Sequence, residues 1–86
     1  MSFMFKDCYL LESLNLNSFN TESVLYMNQM FDQCNSFKFL DLRSFKTPSL
    51  LNMYMMFYNN SKLESIDLSN FNTTSVTNMG QVFDQC

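Results

Sequence analysis

The chain contains no histidine and one glycine, and only five of its 86 residues are basic. Without histidine, the three cysteines (Cys8, Cys34 and Cys86) lack the base that would activate a thiol and the imidazole that would complete a zinc site. With one glycine and no paired catalytic groups, nothing remains from which to build an enzymatic centre, so no catalytic, cofactor or metal site is expected. The basic residues are scattered and the net charge is −3. No phosphate-binding stripe results, and nucleic acid is not an expected partner. The longest apolar runs are a few residues, against about 20 for a membrane span, which excludes membrane insertion. Met1 leads directly into the chain's main pattern rather than into a basic segment followed by an apolar one, so no signal peptide is expected within this segment.

What the chain does have is repetition. Phe5, Phe31, Phe57 and Phe83 are spaced by 26 residues, as are Met4, Met30, Met56 and Val82. The same interval relates Leu14, Leu40 and Ile66, then Leu16, Leu42 and Leu68, Phe19, Phe45 and Phe71, and Thr21, Thr47 and Thr73. No insertion breaks the register. A fixed period between about 20 and 50 residues marks a repeat stack in which each unit buries its apolar face only against its neighbours. Residues 1–86 are therefore read as one solenoid segment of about 3.3 repeats (86/26), expected to belong to a longer array or to be covered at its ends by copies of itself.

Within one repeat, Val24, Met27, Met30, Phe31 and Cys34 fall at intervals of three, three, one and three, which predicts one face of an α-helix. Thr47–Pro48 and its counterparts Thr21 and Thr73 read as helix starts, since threonine caps the free amides of a first turn and proline suits the first helical position. The helix is expected to run from just after the threonine to the Cys34 position. Beyond it, Leu40 and Leu42 alternate with Asp41, the two-residue period of a short strand with one wet face, pairing in parallel with the equivalent strand of the next repeat. The fold class expected from these signals is an α/β repeat solenoid, leucine-rich-repeat-like, with short parallel strands on one side and helices on the other.

The phrase Leu63-Glu64-Ser65-Ile66-Asp67-Leu68-Ser69-Asn70-Phe71-Asn72-Thr73, continuing through Val76 and Met79 to Val82, Phe83 and Cys86, resembles the BspA-like family of leucine-rich repeat surface proteins. The resemblance covers the whole chain, with departures at Asn15, Asn17, Arg43 and Asn60. It implies a secreted or cell-surface protein engaged in adhesion.

Several residues are candidates for function. Asn15, Asp41 and Asp67 form an outward column on the strand face with Phe39 and Arg43 beside it. Stacked aspartates repel, and a cation, a partner's basic group or Arg43 itself would relieve them. Cys8, Cys34, Asn60 and Cys86 share one column, read as a structural ladder of small side chains packing against or bonding a loop; neighbouring members near 5 Å apart also admit a Cys8–Cys34 disulfide. Glu12, Lys38 and Glu64 make a ladder of alternating charge. Asn72 and Asn59 lie in sequons and are glycosylation candidates. Met4 and Phe5 at one end, with Val82 and Phe83 at the other, present apolar surface for end-to-end stacking, which can generate a filament. The expected function is a non-enzymatic extracellular or cell-surface structural and adhesive scaffold whose partners are copies of itself or a protein or host-surface ligand. The alternative is an intracellular interaction module that binds a protein through the strand face.

Overall fold

A computed structural model describes all 86 residues. The file of phenylalanines predicted by the period is present: ring centroids of Phe5–Phe31, Phe31–Phe57 and Phe57–Phe83 lie 5.5, 5.8 and 5.5 Å apart, with planes within 9° of parallel. A second file, Phe19–Phe45–Phe71, has spacings of 6.4 and 6.3 Å. The core is the sum of such files. In the middle repeat Phe37, Leu40, Leu42, Phe45, Leu50, Met53, Met56 and Phe57 are all buried.

The strand side has two three-residue strands, β1 (Phe39–Asp41) and β2 (Ser65–Asp67), paired in parallel with Phe39 opposite Ser65, Leu40 opposite Ile66 and Asp41 opposite Asp67. Leu40 points inward while Phe39 and Asp41 face solvent, as the alternation requires. Isolated parallel bridges join Tyr26 to Asn52 and Asn52 to Asn78.

The expected α/β solenoid with helices is overturned, because the chain forms no helix. Residues 27–34 instead form a succession of tight turns. Met30 N–H bonds to Met27 C=O and Asp32 N–H to Gln29 C=O, each spanning three residues rather than four. Gln29 and Gln33 have φ of 55° and 60°, in the left-handed region. The same two positions recur as Phe3 and Asp7, Met55 and Asn59, and Gln81 and Gln85. A positive φ at the third residue of a turn is the type II arrangement, and it is adopted here without glycine at a cost of roughly 1–2 kcal/mol per residue.

That cost is offset by what the conformation permits. Alternate amides are turned out of the segment toward the next repeat: Met27, Gln29, Phe31 and Gln33 donate to the carbonyls of Asn52, Tyr54, Met56 and Tyr58 at 2.8–2.9 Å. Met53, Met55, Phe57 and Asn59 donate in the same way to Asn78, Gly80, Val82 and Asp84. In an α-helix every one of these amides would be used internally and the repeats would touch only through side chains. Apolar spacing of i, i+3, i+4, i+7 is satisfied by both geometries, which is why the sequence reads as helix.

Candidate interaction surface

The candidate residues of the strand face are first of all turn formers. Asn15, Asp41 and Asp67 each accept, through Oδ1, the amide two residues on, from Asn17, Arg43 and Ser69 at 2.9–3.0 Å. This is the local bond by which Asn and Asp stabilise turns. Arg43 adds a two-pronged contact to Asp41, with Nε 3.0 Å from Oδ1 and Nη2 2.8 Å from Oδ2. The pair holds the Asp41 carboxyl down at about 2, through the Arg43 side-chain bonds first and its amide second. Arg43 is correspondingly raised. Hydrogen bonds from Ser69 lower Asp67, and Arg43 contributes to it as well. Arg43 thus relieves the two stacked carboxylates from within the chain. Both members of the Arg43–Asp41 pair remain about half exposed or more, and Phe39 beside them is 64 % exposed.

The cysteine column has a definite task. Cys34 Sγ donates to the carbonyl of Phe5 at 2.9 Å, Asn60 Nδ2 to that of Phe31 at 2.7 Å, and Cys86 Sγ to that of Phe57 at 3.0 Å. Each reaches back to the repeat before it. Asn60 also bonds the carbonyls of Phe57 and Tyr58, at 2.9 and 3.3 Å. An amide carries two N–H groups and fits where a thiol carries one donor, which explains the exchange at this position. Cys8, Cys34 and Cys86 are free thiols. Burial pushes the Cys34 thiol up to about 12.

The threonine column does not cap helices. Thr21 Oγ accepts from Lys46 N–H at 3.0 Å and donates to Lys46 C=O at 2.7 Å, and Thr47 does the same with Asn72 at 2.8 and 3.1 Å. Each buried hydroxyl therefore clamps the backbone of the next repeat. The sequence signal, an unbroken threonine column, was visible; the destination of its bonds was not. The sequence reading also lacks the ion pair between the partly exposed Lys6 and the buried Asp32, although the two stand 26 residues apart. Gln29 Nε2 bonds the same carboxylate oxygen at 3.0 Å, and the Asp32 pair raises Lys6.

Other candidates are placed as follows. The Glu12, Lys38 and Glu64 ladder forms no ion pair; the pairs are Lys6–Asp32, Arg43–Asp41 and Lys46–Glu22. Asn72 is exposed with Oδ1 accepting from Thr74 N–H at 3.0 Å, whereas Asn59 sits at φ 54° with its amide in the ladder. At the ends of the stack Met4 is 51 % and Phe83 48 % exposed, while Val82 is buried at 8 %. Met53, Leu68, Phe71, Met79, Val82 and Phe83 line an apolar depression at the far end.

Comparison with known proteins places this repeat pattern in a family, described as "Mycoplasma protein of unknown function, DUF285", which matches residues 1–86. The chain belongs to that family. No curated protein and no solved structure matches it. Every coil of this DUF285 chain is bonded to the next by turn-row amides, a column donor and, where the next repeat is present, a threonine clamp.

Proposed function

We propose that this DUF285 chain is a non-enzymatic structural and adhesive scaffold that works outside the cell or at its surface. The observation that carries the reading is the division of labour among its side chains. The inward columns and the Thr, Cys and Asn columns are committed to holding repeat on repeat, while the strand face presents an exposed Phe39 and, just past β1, the exposed Arg43–Asp41 pair. An exposed aromatic and an exposed arginine on one face are the residue types that anchor protein contacts. The resemblance to BspA-like leucine-rich repeat surface proteins supports the adhesive and extracellular part of the reading. The free thiols fit a second reading, an intracellular module using the same face.

The test is a direct comparison of the chain with Phe39→Ala and Arg43→Glu for binding to host cells and to extracellular matrix proteins. Loss of at least tenfold in affinity in both variants supports the strand face as the adhesive surface. Equal binding by all three proteins, or none by any, defeats it.

A further inference from the structure

Three of the five basic side chains are committed within the chain: Lys6 to Asp32, Arg43 to Asp41 and Lys46 to Glu22. The other two, Lys38 and Lys62, are exposed and have no acidic partner at ion-pair distance. Both open onto one depression of about 520 Å³, completed by Glu12, Ser13, Ser36 and Phe39. These six residues come from three successive repeats and none lies in the turn row, so the depression runs along the flank of the stack. Phe39 gives it an exposed aromatic face and is its only apolar lining. The Ser36 hydroxyl donates to Tyr9 C=O, which leaves its oxygen free to accept from a ligand.

Two lysines against one glutamate leave the depression a net charge of +1 in a chain of −3. Such a site suits a ligand with a single anionic group, since a polyanion would meet the repulsion of the whole chain. A lone aromatic among hydroxyls and charges also lacks the apolar surround that seals a peptide hot spot from water. It suits a sugar ring, whose C–H face carries a weak positive charge and lies well on the electron-rich face of an aromatic. We infer that this depression binds a carboxylated sugar, with the ring on Phe39, the carboxylate between Lys38 and Lys62, and ring hydroxyls meeting Ser13 and Ser36. The inference rests on the reading of the strand face as the adhesive surface and adds the chemistry of what that face holds. Glu12 opposes the ligand's charge, which gives the site a sign-specific signature: its removal strengthens binding while removal of either lysine weakens it.

The test is a titration of the chain with a disaccharide carrying one glucuronate ring, followed by amide shifts in nuclear magnetic resonance, with the same disaccharide carrying glucose in its place as control. Shifts around Ser36, Phe39 and Lys62 are expected to saturate with a Kd of roughly 1 mM, and the neutral sugar to bind about fivefold more weakly or less. Lys38→Gln and Lys62→Gln each lower the affinity by about two- to fivefold, Lys38→Arg retains it, and Glu12→Gln raises it by about two- to fivefold. High salt shrinks all of these charge effects. Phe39→Ala abolishes saturation by either sugar. No shift up to about 20 mM, equal affinity for the neutral sugar, or indifference to both lysine variants overturns the proposal. Adhesion that depends on Phe39 and Arg43 in a chain that ignores the sugar also overturns it, and leaves the scaffold reading standing with a protein partner. Sugar binding with this pattern in a chain that adheres to no cell or matrix upholds the site and defeats the scaffold reading instead.

Discussion

Replacing Gln33 by glycine and by alanine decides between the two backbone conformations that the turn segment's sequence allows. Gln33 has φ 60°, its amide donates to Tyr58 C=O at 2.9 Å, and its side chain makes no hydrogen bond. The two variants differ only by a Cβ. In the left-handed region that Cβ costs roughly 1–2 kcal/mol, whereas glycine loses about 0.5–1 kcal/mol more conformational freedom on folding. The glycine variant is therefore expected to be more stable than the alanine variant by about 0.5–1 kcal/mol. In a helix the order reverses, with alanine ahead by about 0.8–1 kcal/mol. The sign alone is decisive. Urea unfolding followed by circular dichroism reads the difference as a shift in midpoint at constant slope. In a thermal melt the glycine protein should unfold higher by about 2–8 °C, taking 4–8 °C per kcal/mol for a domain of this size. An alanine variant more stable than the glycine variant would refute the turn geometry and restore the helix.

The other predictions concern the bonds between repeats. Asn60→Ala leaves the Phe31 carbonyl without a donor, while that of Phe57 keeps the Cys86 thiol, and should cost about 1–3 kcal/mol in urea unfolding; Asn60→Cys, which restores the column's usual residue, should cost less than half as much. Thr47→Val keeps the shape but removes both bonds to Asn72, and a loss of about 1–3 kcal/mol is expected; an unchanged midpoint would mean that the clamp contributes nothing. The Cys34 thiol, raised from 9.0 to about 12, contributes stability that is complete below pH 9 and is lost as pH rises toward 12, because only the unfolded chain ionises in that interval. At pH 10 a loss on the order of 1 kcal/mol is expected, and it should disappear in Cys34→Ser; equal alkaline sensitivity of the two proteins would show that another group is responsible.

Much of the packing was legible in the residues. Phe31, Met56, Leu42 and Phe45 were assigned to the interior from their spacing, and all four are buried. Strand alternation at Leu40 and Asp41 was equally clear because two-residue periodicity has one structural solution. The run from Met27 to Cys34 was misread because its apolar spacing has two. Nothing local distinguishes a helix from left-handed turns when Gln29, Gln33 and Met55 occupy positions where glycine would have announced a positive φ.

By itself the sequence determined the 26-residue period, the inward columns and the order in which they stack, since equal side chains at equal intervals can share a core only when lined up. The tertiary structure alone decided the backbone of the turn row and the destinations of the Thr21, Thr47 and Asn60 bonds. These depend on a neighbouring repeat, which supplies the partners for the outward-turned amides and makes a left-handed residue worth its strain.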